Sequence, residues 1–284
     1  PHHRAYRIVA RFPTFDRGKA RPSLAREAVM STHTLEIQGV GRSFRSGQGG
    51  ELIQALRNIN LTVHPSEIVS IVGPSGCGKS TLLRMVAGFD QPSEGEILLD
   101  KKRIFDPGAD RGIVFQTPQL YPWLNVFDNV IFGPKKRGVS KESYVSDAER
   151  YIASVGLKGF EHHYPYQLSG GMRQRLQIAR VLINEPAILL MDEPFGALDY
   201  QTRLDMQRLL LELCERYRPT VLFITHDIEE AVFISDRIHV MGARPGRVLE
   251  SLQVDLPRPR IYEEVAASEA FMRMKLRVLN LLRH

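Results

Sequence analysis

Apolar side chains alternate with polar ones at Leu35 and Ile37, and again at Ile59, Leu61 and Val63. That period of two predicts half-buried strands early in the chain, with residues 95–100 and 113–115 reading as further short strands. Gly47, Gly49 and Gly50 mark a loop between the early strands. After Gln116 the period lengthens. Val126, Phe127, Val130 and Ile131 recur at helical spacing, as do Tyr144, Ala148, Ile152 and Val155. Ser140 suits the N-cap of the second helix and Gly156 its C-terminal stop. From residue 187 the strands return as continuous apolar runs, 187–191 and 221–224, the pattern of strands buried on both faces of a sheet. Phe271, Met274, Val278, Leu281 and Leu282 form one face of a C-terminal helix over 271–284, expected to dock on the body. The plan is an α/β core interrupted by a helical insertion.

One junction in this plan carries chemistry. The strand Ile68, Val69, Ile71, Val72 runs into GPSGCGKS at 73–80, and Thr81, Leu82, Leu83, Met85, Val86 and Ala87 start a helix. This is a complete phosphate-binding loop: Gly73, Gly76 and Gly78 let the backbone curl without Cβ obstruction, so that its N–H groups and the helix mouth can turn toward an anion. Lys79 can reach the β- and γ-phosphates of ATP, and the Ser80 hydroxyl can ligate Mg²⁺. Pro74, Ser75, Gly76, Cys77 and Gly78 complete the cradle.

Downstream, the run Ile188–Met191 ends in Asp192, Glu193 and Pro194. Two acids at a strand end read equally well as solvated loop residues, but a phosphate loop in the same chain alters that weighting. Asp192 suits Mg²⁺, and Glu193 is placed to polarise an attacking water. At 168–172, LSGGM opens a helix with Ser169 as N-cap and Gly170 and Gly171 clearing side chains from its mouth, a second anion-binding helix terminus.

Composition narrows the setting. In 284 residues no apolar run approaches the roughly 20 that a membrane-spanning helix needs. Cys77 and Cys214 give no disulfide framework or metal cluster, and a thiol inside the phosphate loop suits a reducing cytosol. The net charge is +6, yet residues 1–30 hold seven basic side chains against two acids, which leaves the remainder near neutrality. The body therefore lacks the broad positive field of a nucleic-acid binder, and no nucleic-acid partner is expected. Residues 1–30, without apolar periodicity, predict a disordered basic leader, with the functional protein beginning near Met30.

Taken in order, GPSGCGKST at 73–81, Gln116, LSGGMRQR at 168–175, LLMDEP at 189–194, ALD at 197–199 and His226 in ITHD resemble the ATP-binding cassette ATPases. The resemblance spans roughly residues 34–250. It implies a P-loop NTPase (RecA-like) core with an antiparallel β subdomain and an inserted α-helical subdomain at about 117–182, the cassette as a whole covering 34–270. It also implies a head-to-tail homodimer with two ATP molecules between the phosphate loop of one copy and the LSGGM segment of the other. On that resemblance Ser169 and Gly171 would bind the γ-phosphate across the interface, and Gln116 would contact Mg²⁺ or the lytic water and sense a transport partner. Asp199 would link the two sites, His226 would hold the γ-phosphate and Glu193, and Phe44 would stack on adenine, its π-face serving where many relatives have Tyr.

TPQLYPWLNVFDNVIFG at 117–133, Met172, HDIEEAVFISDRI at 226–238 and LPRPR at 256–260 further resemble nitrate/sulfonate/taurine importer ATPases. This implies an integral membrane permease, an extracytoplasmic substrate-binding protein, and a peripheral position on the cytoplasmic face of the inner membrane. Trp123, Leu124 and Phe127 would line the groove that receives the permease. The alternative is a soluble cassette ATPase acting on nucleic acid or ribosomes. Such a chain would usually carry a long coiled-coil insertion or two cassettes, and neither is visible here.

Overall fold

A computed structural model describes residues 32–45 and 50–283. The leader read at 1–30, and Gly47 and Gly49 of the early loop, lie outside the described residues.

In chain order the strands are β1 (Leu35–Arg45), β2 (Leu52–Val63), β3 (Ile68–Val72), β4 (Glu94–Leu99), β5 (Lys102–Arg103), β6 (Arg111–Phe115), β7 (Ile188–Asp192), β8 (Thr220–Thr225), β9 (Arg237–Gly242) and β10 (Arg247–Gln253). The helices are α1 (Lys79–Val86), α2 (Val126–Lys136), α3 (Lys141–Ser154), α4 (Gly170–Leu182), α5 (Tyr200–Tyr217), α6 (Ile228–Ile234), α7 (Tyr262–Ala266) and α8 (Glu269–Arg283).

The early alternating segments make an antiparallel sheet of order β2-β1-β4-β5. Its register sets Leu35 opposite Val63, Ile37 opposite Leu61 and Val40 opposite Ile59, so the buried face of each strand meets the buried face of the other. The continuous apolar runs make the second sheet, β10-β9-β3-β8-β7-β6, parallel except for β10 on β9. Every residue of β3 and of β8 is buried, because this sheet is covered on both faces. Alternate residues feed different cores. Leu189 and Met191 of β7 join the helical side with α2–α6, whereas Ile188 and Leu190 join α1 and the antiparallel sheet. Helix α1 contributes Leu82, Leu83, Met85 and Val86 to that second core, which fixes its mouth at the end of β3.

Between β6 and β7 the chain passes through α2, α3 and α4. Ser140 caps α3, its hydroxyl accepting from Ser143 N at 3.4 Å, and Gly156 follows the helix with φ +72°. Helix α8 begins at Glu269, two residues before the expected start, because the Ser268 hydroxyl accepts from Phe271 N at 3.2 Å. Phe271 and Val278 are buried, and Met274, Leu281 and Leu282 pack beside them against the helical core.

Candidate active site

The ends of the parallel strands converge on the phosphate loop. Gly78 takes φ +97°, a conformation costly for a side-chain-bearing residue, and Leu82 N donates to its carbonyl at 2.9 Å to begin α1. Pro74, Ser75, Gly76 and Ser80 are exposed at the mouth, Thr81 is half-buried, and Cys77 is turned inward. Burial pushes the Cys77 thiol above its ordinary pKa. Lys79 is only 5% exposed; its ammonium donates to the carbonyls of Gly73 at 2.8 Å and Pro74 at 3.2 Å. A buried cation held by neutral loop groups, these two carbonyls and the Cys77 sulfur at 4.0 Å, is suited to exchange them for a charged acceptor.

Across from the loop, β7 delivers its acids. The Ser80 hydroxyl donates to Asp192 Oδ1 at 3.1 Å. Burial raises the Asp192 carboxyl above its usual range; Glu193 adds to the rise, and Ser80 and Lys79 oppose it. A half-buried carboxylate beside a hydroxyl and a second acid is the oxygen donor set that Mg²⁺ prefers, so Ser80 and Asp192 fit that ion. Among the described residues no cluster of three or more His, Cys, Asp or Glu side chains forms a metal cage.

Glu193 takes φ +44°, unusual for a residue with a side chain, while its N–H donates to Ile224 O on β8 at 2.9 Å. The bent backbone turns the carboxylate toward β8, where Oε2 lies 2.9 Å from His226 Nδ1. The structure thus brings Lys79, Ser80, Asp192, Glu193 and His226 together across three parallel strand ends, the crevice where open α/β sheets bind ligands.

The remaining predicted residues lie on surrounding elements. Gln116 follows β6 exposed, and a Cβ on Gly196 would come within 3.1 Å of its Nε2. Ser169 caps α4, its hydroxyl accepting from Met172 N at 3.2 Å, and with Gly170 it is exposed. Gly171 is buried; a Cβ there would come within 2.7 Å of Thr202 Cγ2, so packing against α5 also demands glycine at that position. Asp199 caps α5, and its hydrogen bond from Thr202 lowers its pKa. Phe44 is 41% exposed near the end of β1, with the Arg42 guanidinium 4.7 Å from its ring centroid. Arg42 pairs across the sheet with Leu56, whose side chain lies beneath Gly78.

Several supporting residues escape a reading by motif. Gln174 and Gln177 of α4 both donate to Phe115 O, at 3.2 and 2.9 Å, and Gln177 Oε1 accepts from Gln119 N at 2.7 Å. They fasten the segment after Gln116 to the LSGGM helix; glutamines three apart on a buried helix face were the available signal. Buried Asn129 accepts from Tyr121 N and donates to Tyr121, Leu124 and Asn125 carbonyls, which holds the turn displaying Trp123 at 70% exposure. Leu124 and Phe127 are half-buried, and Phe127 packs onto the helical core. Gly246, in the β9–β10 turn, abuts the phosphate loop: an added Cβ would collide with the Cys77 carbonyl and lie 2.9 Å from Leu56 Cδ2. The LPRPR segment is structural, with Arg258 bound to Asp236 and Arg260 donating to the Phe233 and Ser235 carbonyls at 2.8 Å.

A family model described as ABC transporter matches residues 56–196. The chain is 50% identical over 249 residues to an uncharacterized ABC transporter ATP-binding protein of Methanocaldococcus jannaschii, covering 88% of this chain and 91% of that one. It is 48% identical to the nitrate import ATP-binding protein NrtD of Synechocystis, with 78% and 83% coverage. To the aliphatic sulfonates import ATP-binding protein SsuB of Bacillus cereus it is 42% identical, with 87% and 94% coverage. Among solved structures it resembles a dimeric ATP-binding cassette in a post-hydrolysis state bound to ADP and Pi, at TM-score 0.67 and 35% identity, covering 78% of this chain and all of that one.

Proposed function

This chain belongs to the ABC transporter family of ATPases, and from that premise we propose that it energises an importer. Two copies associate head to tail, bind ATP at their seam, and drive a separate integral membrane permease fed by an extracytoplasmic substrate-binding protein. The cargo is a small solute such as nitrate, a sulfonate or taurine; identities of 48% to NrtD and 42% to SsuB support that class. The chain works from the cytoplasmic face of the membrane, and among the described residues no helix is long and apolar enough to cross one.

The observation that carries the chemistry is the Glu193–His226 pair at 2.9 Å beside the Ser80–Asp192 pair. Lys79 exchanges the Gly73 and Pro74 carbonyls for β- and γ-phosphate oxygens. Glu193 accepts a proton from the attacking water. His226 engages Glu193 through Nδ1, which leaves Nε2 for a γ-phosphate oxygen. Mg²⁺, held by Ser80 and Asp192 with Gln116 at its side, would offset charge on the phosphates. Phe44 supplies a ring for adenine, and Ser169 and the α4 mouth of the second copy close on the γ-phosphate, with Asp199 at the seam between the sites.

The exposed Trp123 turn, pinned by Asn129 and joined to α4 through Gln177, supports permease docking on this face. Tagged protein purified from membranes should retain a permease, and vesicles holding that permease, its binding protein and this chain should take up nitrate or a sulfonate only with ATP. Trp123→Ala should release the permease and leave basal ATP hydrolysis within about twofold of wild type, a change below ~0.5 kcal/mol. Ribosomes or DNA co-purifying in place of a membrane protein would refute the importer reading.

A further inference from the structure

The two helices that carry Asp199 and His226 meet at one side chain. Helix α5 starts after Asp199, and α6 starts after Asp227, the residue following His226. Asp227 divides its carboxylate between two tasks. Oδ1 accepts the N–H groups of Glu229 and Glu230 at 2.9 and 3.2 Å, which caps α6, whereas Oδ2 accepts Arg203 Nη1 at 3.3 Å. The other arm of the same guanidinium, Arg203 Nη2, donates to the Leu198 carbonyl at 3.1 Å. One planar fork on the first turn of α5 therefore grips the residue before Asp199 and the residue after His226. Deeper in, Gln207 Nε2 donates to Glu230 Oε1 at 3.0 Å, so α5 and α6 are joined again one turn further along.

We propose that Arg203 is a positioning residue that couples the Asp199 segment to His226. A shift of Asp199 on contact with a second copy is transmitted through Leu198, Arg203 and Asp227 to the imidazole that faces Glu193. The physical reason for arginine is geometric: two acceptors on different elements are held by two separate nitrogens of a rigid plane, which a single ammonium cannot span. This inference rests on the dimeric ATPase reading above.

The test is steady-state ATP hydrolysis against ATP concentration for the wild type, Arg203→Ala, Arg203→Lys, Asp227→Asn and the Arg203→Ala/Asp227→Asn pair, with thermal unfolding and ATP-dependent dimerisation measured alongside. Asp227→Asn keeps an oxygen to cap α6 while withdrawing the charge from Arg203, which separates the coupling from simple loss of the helix. Each single variant should bring the Hill coefficient down to about 1 and lower kcat by about tenfold, with half-saturating ATP moved less than about twofold. The double variant should be no worse than either single one, as for two members of one link. Arg203→Lys should fail like Arg203→Ala. Wild-type cooperativity in Arg203→Lys, or single effects that multiply in the double variant, would overturn the inference while leaving the dimer intact. A wild type that shows no ATP-dependent dimer would overturn the underlying assembly and this inference with it.

Discussion

Substituting Glu230→Gln removes a carboxylate that the fold holds almost entirely out of water. The residue is 4% exposed, and burial drives its pKa from an ordinary 4.5 up to about 7, against the partial relief of hydrogen bonds from Thr225 and Gln207. An acid whose pKa is raised on folding binds its proton more tightly in the native state. Between pH 4.5 and about 7 the folded chain therefore holds more protons than the unfolded chain, and stability falls as pH rises through that window. Each tenfold change in proton affinity is worth about 1.4 kcal/mol, so the ceiling is on the order of 3 kcal/mol at pH 8. Glutamine keeps an oxygen for the Gln207 amide, bonded at 3.0 Å in the native chain, and carries no charge to desolvate. Urea unfolding at pH 5, 6, 7 and 8 should show the variant gaining on the wild type as pH rises, with the gain level above about pH 7. A stability difference that is flat across this range, or that turns against the variant as pH rises, would refute the burial argument.

Three further outcomes follow from the site. Glu193→Gln should cut turnover by about two to four decades, roughly 3–5 kcal/mol of barrier, while ATP binding by equilibrium dialysis survives; normal turnover would remove Glu193 from its role. Gly246→Ala should destabilise the fold by about 1–3 kcal/mol in urea titrations and weaken ATP binding, since its Cβ displaces the Cys77 carbonyl of the phosphate loop; wild-type stability and affinity would show that the turn is free to yield. Cys77 and Cys214, both buried with thiol pKa values raised, should be silent to Ellman's reagent in the native chain and titrate only in urea; a fast native reaction would contradict their burial.

The strands and helices that frame the site were legible because each motif sits at a junction between periods. The apolar run of β3 meets the helical spacing of α1 at the phosphate loop, and the run of β7 stops at Asp192 and Glu193. What stayed hidden depends on partners distant in sequence. The Gly246 turn matters because β9 lies beside β3, a pairing that no local pattern announces. Likewise Arg203 reads as one more charge on an amphipathic helix until Leu198 and Asp227 are seen on either side of it. The glycines of LSGGM suggested a helix mouth cleared of side chains; Gly170 is exposed, while Gly171 also answers to Thr202. The LPRPR tail resembled a family mark, and its physical work proved to be satisfying carbonyls at the end of α6.

The pairing of two chains around ATP is tested most directly by sedimentation of the Glu193→Gln protein with and without ATP and Mg²⁺. The account predicts a species of twice the chain mass with ATP, a single chain with ADP, and loss of the doubled species when Ser169 is changed to arginine. A Glu193→Gln chain that stays single at saturating ATP, or pairs equally well with arginine at position 169, would contradict it.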